Sequence, residues 1–374
     1  MASELVTVFL CGDTMPGRGV DQILPHPGDP ELREPDITDA RDYVHLAERV
    51  NGPIPYPVGF GWPWGDALAV ADDMAPDVRV INLECTVTQS ANFAPEKPVH
   101  YRMNQANLPC VAAIRPDACV LANNHTLDFG RTGLADTLRA LTGAGLAAVG
   151  AGLDTAKAHQ PVAVPVPGRG RVLVFSRGMA SSGIPAHWAA DRNQHGVAYL
   201  AGPADTASDE LTTRVREAKR PGDIAVVSVH WGSNWGYAAG LDEVRFARRL
   251  IDGGVDLIHG HSSHHPRPIE IYRGKLILYG CGDCIDDYEG IGGYEQYRDD
   301  LRLLYFASLR PDSGKLAALR MVPMQARQMR LHQARPSERD WLATILDQIS
   351  RTHGARIGLE PDGTLTVSWS RHSQ

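Results

Sequence analysis

Acidic, amide and imidazole side chains occur in five short motifs, each directly after a run of apolar residues. They provide two carboxylates, an amide oxygen and several imidazoles, a mixed set of donors that Zn, Mn or Fe accepts. A lone Asp or His at such a position is more often a helix cap or a satisfied surface group, so the prediction of a metal site rests on the set. The motifs are Gly12-Asp13, Asn82-Leu83-Glu84, Asn123-Asn124-His125, His230-Trp231-Gly232 and Gly260-His261-Ser262-Ser263-His264-His265.

This donor set favours two neighbouring metal ions. A bridging carboxylate is needed to hold two cations about 3.5–4 Å apart against their repulsion, and Glu84 is the natural candidate. His261 and His264 stand three residues apart on a turn led by Gly260, so they can face one centre or two adjacent ones. We therefore expect two divalent metal ions, of the Mn, Zn or Fe type, as cofactors.

The elements that must position these motifs are typical of an α/β fold. Short apolar runs that alternate with helical patterns indicate strands covered on both faces, in mostly parallel sheets wrapped by helices. The carboxyl ends of the strands form the ligand crevice in such sheets, so the five motifs are predicted to converge. The predicted strands are Leu5 to Leu10, Val78 to Asn82, Ala118 to Ala122, Ala147 to Gly150, Val172 to Phe175, Ile224 to Val229, Leu257 to His259 and Leu276 to Tyr279. The predicted helices between them are Trp64 to Met74, Thr132 to Thr142, Thr206 to Ala218 and Leu241 to Asp252.

The order GD, NLE, NNH, HWG, GHxxH resembles the CapA family, named for poly-γ-glutamate capsule synthesis and related to the calcineurin-like metallophosphoesterases. The likeness runs from Asp13 to about Asp287. It implies a four-layer α/β/β/α sandwich with a metal site at the strand ends. It also implies that Asp13 binds one metal, that Glu84 bridges, and that Asn124 binds the other metal. The shells would be completed by His230, His261 and His264, with His125 beside the metals as general acid or electrostatic partner.

Two positions depart from the pattern of that class. Met15 stands where phosphoesterases have a histidine two residues after the first aspartate, which predicts one metal with fewer ligands. Asp283 stands where the capsule relatives are more Asn-like. It can orient a metal-ligating histidine or contact substrate, and a plain turn residue is the alternative.

Substrate contacts and proton transfer are assigned to residues near the same motifs. Asp128 is predicted to fix the tautomer of the catalytic His125, or else to complement a helix dipole. Arg18, on a glycine-bearing turn, is predicted to fork onto a carboxylate or phosphate of the substrate. Arg102 and Trp235 are further candidates for the same rim.

We expect the protein to be a metal-dependent hydrolase that cleaves an amide or γ-glutamyl-type peptide bond through a metal-activated water. A phosphoester hydrolase of the metallophosphoesterase type is the alternative, and a non-catalytic accessory protein of poly-γ-glutamate biosynthesis is a third reading. The expected partner is a small peptide, amide or phosphoester, and the oligomeric state is open.

Composition excludes other partners. A net charge of −7 without a long basic run argues against nucleic acid, because phosphate binding needs a concentrated positive footprint. The six cysteines are scattered in apolar runs, so a disulfide framework is not expected. No stretch approaches the roughly 18 apolar residues of a membrane span, and the N-terminus lacks a signal-peptide pattern. A cytoplasmic protein without membrane contact is predicted.

The chain is predicted to form one metallophosphoesterase-like domain over residues 1–330, with an insertion at about 20–61. Residues 331–374 are predicted to be a helix and strand extension on the same domain. The insertion is rich in Pro, Asp and Gly, which is typical of functional lids or of disordered segments. Trp62 and Trp64, directly after it, either floor a substrate pocket or pin the loop to the core.

Overall fold

The computed structural model describes residues 5–95 and 97–369, and these form a mixed α/β protein with several sheets. The strands are β1 (Val6–Thr14), β2 (Val78–Leu83), β3 (Thr86–Val87), β4 (Arg102–Met103), β5 (Ala118–Val120), β6 (Ala148–Val149), β7 (Ala151–Gly152), β8 (Val162–Pro165), β9 (Arg171–Met179), β10 (Gly196–Val197), β11 (Tyr199–Leu200), β12 (Ile224–His230), β13 (Leu257–His261), β14 (Ile269–Tyr272), β15 (Lys275–Leu278), β16 (Asp283–Ile285), β17 (Leu301–Leu309), β18 (Leu316–Arg327), β19 (Arg330–Gln333), β20 (Ala355–Leu359) and β21 (Leu365–Trp369).

The helices lie mainly between successive parallel strands. They are α1 (Gly19–Ile23), α2 (Arg41–Asn51), α3 (Ala67–Asp73), α4 (Pro109–Ala112), α5 (Gly130–Gly143), α6 (Thr155–Ala158), α7 (Asp205–Ala218), α8 (Leu241–Asp252) and α9 (Pro336–Ser350).

Two large sheets carry the fold. The first has the order β20-β21-β18-β17-β1-β2-β5-β6, with β16 paired to β1 and β19 paired to β18. The second has the order β11-β9-β12-β13-β15-β14, with β8 paired to β9. The site-bearing strands β1, β2 and β5 are mutually parallel, as are β9, β12, β13 and β15. Their carboxyl ends therefore lie at one edge of each sheet.

The expectation of mostly parallel sheets holds for those strands and fails for the later part of the first sheet. There β17 runs antiparallel to β1, and β18, β21 and β20 continue the antiparallel order. Strands β17 and β18 follow each other through a short turn at residues 310–315, and a connection that short can join only antiparallel neighbours. Residues 330–369 thus add strands to the first sheet.

Three groups of buried apolar side chains form the core. One contains residues of both sheets, such as Val8 and Val80 from the first and Val226 and Leu278 from the second. Another packs helices α1 to α5 against the first sheet, and a third packs α7 and α8 against the second. The close packing of these buried side chains holds the strand ends in fixed relative positions.

Trp62 and Trp64 pin their segment to the core. Trp64 is fully buried and its Nε1 donates to the carbonyl of Cys110 at 2.8 Å, while Trp62 Nε1 donates to the carbonyl of Gln328 at 2.9 Å. Neither lines the large cavity at the strand ends. Of their two predicted roles, the structure supports pinning.

All six cysteines are buried free thiols, in agreement with the sequence. Among the described residues, no helix has both the length and the apolar content needed to cross a membrane.

Candidate functional site

The five motifs converge at the carboxyl ends of the parallel strands. Asp13 lies at the end of β1, Glu84 follows β2, and Asn124 follows β5. His230 and His261 end the paired strands β12 and β13, where they are direct partners in the register. Residues that are more than two hundred positions apart in the chain therefore face one another.

A close approach of two strands places Asp13. A Cβ on Gly12 would lie 1.7 Å from the carbonyl oxygen of Gly282, so only glycine allows β1 and β16 to lie this close. Asp13 and Asp283 are consequently partners in the parallel register, and Asp13 N donates to the carbonyl of Gly282 at 2.9 Å.

Asn82 holds two carboxylates together. Its Nδ2 donates to Asp13 Oδ1 at 2.7 Å and to Glu84 Oε2 at 2.9 Å, and its Oδ1 accepts from Asn123 Nδ2 at 3.0 Å. One amide between two acids leaves Glu84 Oε1 free for a cation.

Imidazoles surround these carboxylates. His230 Nδ1 lies 2.7 Å from His261 Nδ1, and His230 Nε2 lies 2.8 Å from Asn124 Oδ1. His230 Nε2 is also 3.7 Å from Glu84 Oε1, and His261 Nδ1 is 3.7 Å from Asp13 Oδ1. Burial lowers the pKa of both histidines well below the ordinary value, so both rings are neutral, as metal-ligating imidazoles must be.

His264 belongs to the same cluster and contacts Asp283. Its Nδ1 lies 3.0 Å from Asp283 Oδ1, and its Nε2 lies 3.0 Å from Asn234 Nδ2. Burial opposes a charge on His264, but the Asp283 carboxylate outweighs burial and raises the imidazole pKa. The loop is bent at Ser262, whose φ of 100° lets its N–H donate to Asp13 Oδ2 at 3.1 Å. Strained backbone of this kind is found at functional sites.

The donors fit a divalent cation. The sets Asp13, His230, His261 and Asp13, His264, Asp283 each place their candidate ligand atoms within 4.8 Å of one another. In the described part of the chain, none of Asp13, Glu84 and Asp283 forms an ion pair with Lys or Arg, and Asp283 Oδ2 has no hydrogen-bond partner.

The pKa values of the Asp13 and Glu84 carboxyl groups are raised. Burial and the nearby Asp283 carboxylate raise the pKa of Asp13 to about 7. Burial and Asp13 raise the pKa of Glu84 well above its ordinary value. Crowded buried carboxylates of this kind are stabilised by a bound metal ion.

His125 stands beside the cluster in a buried charge network. Its Nδ1 lies 2.7 Å from Asp128 Oδ2 and 2.9 Å from Lys97 Nζ, and its Nε2 lies 3.9 Å from Glu84 Oε1. Lys97 also donates to Asp128 and to the carbonyl of Asn124. Burial lowers the pKa of His125 to about 4, with Asp128 opposing and Lys97 adding to the shift. The ring is therefore neutral. Asp128, which was predicted to fix the tautomer of His125, contacts its Nδ1 atom.

These side chains line a cavity of about 640 Å³. Glu84, Asn124, His125, His230 and His264 line it together with His187 and Trp188. Asp13, His261 and Asp283 are fully buried and do not line it. The volume suits a small organic molecule or a few residues of a peptide chain.

Arg18 lies beside a second, smaller cavity of about 220 Å³, which shares Tyr101, His264 and Tyr288 with the first. Its guanidinium already donates to Asp287 Oδ2 at 2.8 Å and to Glu34 Oε1 at 2.9 Å, and it stacks over the ring of Tyr43. The Arg18 guanidinium was predicted to bind a carboxylate or phosphate of the substrate, but it binds carboxylates of the protein itself.

Arg102 and Trp235 have different surroundings. Arg102 lines neither cavity. Its guanidinium donates to the carbonyls of Ser90 and Asp29 at 2.9 and 2.7 Å. Trp235 lines the smaller cavity and stacks on Tyr294 with ring centroids 3.8 Å apart. Met15 is fully buried in the apolar core and offers no replacement for the missing histidine.

Sequence reasoning overlooked Lys97. A single lysine between prolines carries no motif, and only the fold brings it to His125 and Asp128. Asn82 was visible within its motif, but its bridging of two carboxylates depends on the pairing of β1 with β2.

The chain is similar in sequence to several known proteins. Residues 7–288 match the family model described as bacterial capsule synthesis protein PGA_cap. The chain is 55% identical over 365 residues to a Mycobacterium tuberculosis protein named probable polyglutamine synthesis accessory protein, covering 97% of this chain and 96% of that one.

A Bacillus subtilis protein named PGA biosynthesis protein CapA is 29% identical over 238 residues, or 62% of this chain and 58% of the other. Among solved structures, TT1561 of Thermus thermophilus gives a TM-score of 0.38 at 10% identity, over 83% of this chain and 97% of that one, which is a distant likeness. The chain belongs to the PGA_cap family of bacterial capsule synthesis proteins, which confirms the resemblance to CapA.

Proposed function

We propose that this protein is a metal-dependent hydrolase that cleaves an amide bond of the γ-glutamyl type with a metal-activated water. The single observation that supports it most is the convergence of Asp13, Glu84, Asn124, His230, His261 and His264 at the strand ends beside the large cavity. Buried acids gathered without Lys or Arg partners, together with the neutral imidazoles of His230 and His261, are suited to holding cations.

In this proposal two divalent ions of the Mn, Zn or Fe type share the site. Asp13, Asn124, His230, His261 and His264 would supply the ligands, and Glu84 would supply the carboxylate shared by the two ions. When bound, such ions supply an activated water and polarise the scissile carbonyl or phosphoryl group.

His125 moves the proton. Because its Nδ1 hydrogen is directed at the Asp128 carboxylate, Nε2 is the nitrogen free to take a proton from the attacking water. The same nitrogen then delivers that proton to the leaving amine, so the ring starts neutral and becomes an acid only during turnover. Asp128 and Lys97 keep the ring oriented.

Membership in the capsule-synthesis family, together with the resemblance to CapA proteins named for poly-γ-glutamate, favours a γ-glutamyl substrate. A phosphoester is the alternative, because the same ions and the same histidine serve phosphoryl transfer. Trp235 remains a proposed substrate-side residue, because it lines the smaller cavity. Asp283 is fully buried and contacts His264, so we assign it to the orientation of that histidine, and the Arg18 guanidinium is held by Asp287 and Glu34. Arg102 would act only through the loops that it ties together.

We also propose a specific layer arrangement for the fold and a cellular location for the protein. The core shared by two sheets, with helices packed against the outer face of each, supports a four-layer α/β/β/α sandwich. We further propose a cytoplasmic protein that binds a small peptide, amide or phosphoester.

Turnover tests the proposal. Chelator-treated protein is reloaded with Mn, Zn or Fe and offered γ-glutamyl-p-nitroanilide and p-nitrophenyl phosphate. We expect metal-dependent release of p-nitroaniline, reduced about 10²–10⁴-fold by His125→Ala, because general acid-base catalysis contributes on that order. His45→Ala, at a half-exposed position on α2, is the matched control.

The two other functions predict different results. Cleavage of the phosphate alone would identify a phosphoester hydrolase. Tight metal binding without turnover of either substrate would favour an accessory role, which the name of the mycobacterial relative supports.

A further inference from the structure

A chain of hydrogen bonds runs from the core to the candidate metal ligands. The carbonyl of Cys11 lies 2.8 Å from His259 Nε2, and His259 Nδ1 lies 3.0 Å from Ser228 Oγ. Ser228 Oγ then lies 2.8 Å from His261 Nε2. All four residues are fully buried, and Ser228 and His259 are register partners on β12 and β13.

The carbonyl of Cys11 sets the direction of this chain. A carbonyl oxygen can only accept, so His259 Nε2 carries the hydrogen. His259 is buried with a carbonyl and a hydroxyl as partners, and neither stabilises a second proton on the ring. Its Nδ1 therefore accepts, and the single hydrogen of the Ser228 hydroxyl is donated to it. Ser228 Oγ is left as the acceptor for His261 Nε2–H.

The consequence reaches the metal-ligand cluster. With its hydrogen on Nε2, His261 directs the lone pair of Nδ1 at His230 Nδ1, 2.7 Å away, and towards Asp13. His230 donates from Nε2 to Asn124 Oδ1, so its Nδ1 also presents a lone pair. Two lone pairs and a carboxylate oxygen that face one another repel unless a cation lies among them.

We propose that His259 and Ser228 are positioning residues that fix the tautomer of His261, so that Nδ1 is its metal-ligating atom. This inference rests on the proposed metal centre. Neither residue lines the cavity, and both act only through His261.

Tautomers are read directly by ¹⁵N NMR of the metal-free protein labelled at histidine. We expect His259 and His261 both to carry their hydrogen on Nε2. In Ser228→Ala, His261 loses its fixed acceptor, and its Nδ1–H form should become populated.

Metal affinity supplies a second measurement. Loss of a partner that orients a ligand costs about 10–100-fold in affinity, so Ser228→Ala should bind Zn or Mn that much more weakly in competition with a chelating dye. Ser228→Thr keeps the hydroxyl and should restore most of the affinity. Ser176→Ala is the matched control, because Ser176 is the register partner of Ser228 on β9 and its buried hydroxyl has no hydrogen-bond partner among the described residues.

Two results would overturn the inference alone: His261 found as the Nδ1–H tautomer in the wild type, or a folded Ser228→Ala that binds metal as tightly as a metal-binding wild type. Failure of the wild type to bind Zn or Mn would overturn the metal centre and, with it, the inference. The tautomer measurement needs no metal, so the two failures are distinguishable.

Discussion

The Nδ1 atom of His125 contacts two groups of opposite charge, the buried Asp128 and the partly buried Lys97. Asp128 favours a proton on the ring, whereas burial and Lys97 oppose it. Although burial alone would raise the pKa of Asp128, His125 and Lys97 hold it below its usual range. A lysine that carries no motif of its own therefore contributes to the protonation state of one catalytic candidate.

Replacing that lysine should raise the pKa of His125. Lys97→Met removes the nearby positive charge and leaves Asp128 with His125 as its remaining charge partner, and both effects favour the imidazolium. NMR titration of His125 from pH 8 to pH 3 in metal-free protein measures the shift. Lys157→Met, on the exposed side of α6, is the control, and an unchanged or lowered His125 pKa in Lys97→Met would contradict this account.

At the scale of elements, the contact between β1 and β16 positions the two acids. Gly12→Ala places a Cβ against the carbonyl of Gly282 and forces the strands apart. We expect a loss of about 3 kcal/mol in the free energy of unfolding, at the upper end for overpacking, together with weaker metal binding. Urea denaturation measures the first and dye competition the second.

A second glycine provides the comparison. Gly143 lies at the end of α5 with open space around its Cα, so Gly143→Ala should be neutral or stabilising by up to about 1 kcal/mol. Equal destabilisation by both substitutions would show that the approach of β1 to β16 is not what Gly12 permits.

The end of α6 should be sensitive to acid. Burial and the nearby Arg177 lower the pKa of His159 to about 4, while the unfolded chain keeps the ordinary 6.5. The unfolded state therefore binds more protons between these values, and the neutral ring's contribution to stability is lost as pH falls from 6.5 towards 4. His159→Gln cannot take up this proton.

Urea denaturation at pH 7, 6, 5 and 4.5 measures the pH dependence of stability that His159 is expected to cause. Relative to the wild type, His159→Gln should gain in stability as the pH is lowered. Parallel stability curves for the two proteins would show that His159 does not titrate differently on folding.

For the whole molecule, metal binding and folding should be linked. A ligand that binds only the folded state stabilises it by about 2.7 kcal/mol at a free concentration one hundred times its Kd. Zn or Mn should accordingly raise the Tm and a chelator should lower it, as measured by calorimetry.

Glu84→Gln separates the site from non-specific binding. The substitution removes the proposed bridging charge, so most of the metal-induced rise in Tm should disappear. Because burial and Asp13 raise the pKa of Glu84, the charged group costs stability in metal-free protein at neutral pH, and the variant without metal should be at least as stable as the wild type. Glu31→Gln, on the exposed surface, should keep the full rise.

The sequence by itself determined the α/β class and the donor set. Apolar runs that end in Asp13, Glu84, Asn124, His230 and His261 predict parallel strands whose polar ends share an edge, because hydrophobic period and strand polarity are local properties. The order of the motifs also identified the family, which the match over residues 7–288 confirmed.

Only the tertiary structure decided which partners each side chain meets. Arg18 binds Asp287, 269 positions away, and Lys97 reaches His125 across a loop, while the proton on His261 depends on a carbonyl of β1. The antiparallel half of the first sheet was likewise settled by pairing between distant segments. Long-range contacts of this kind leave no local pattern, since they arise from the packing of elements whose spacing in the chain is arbitrary.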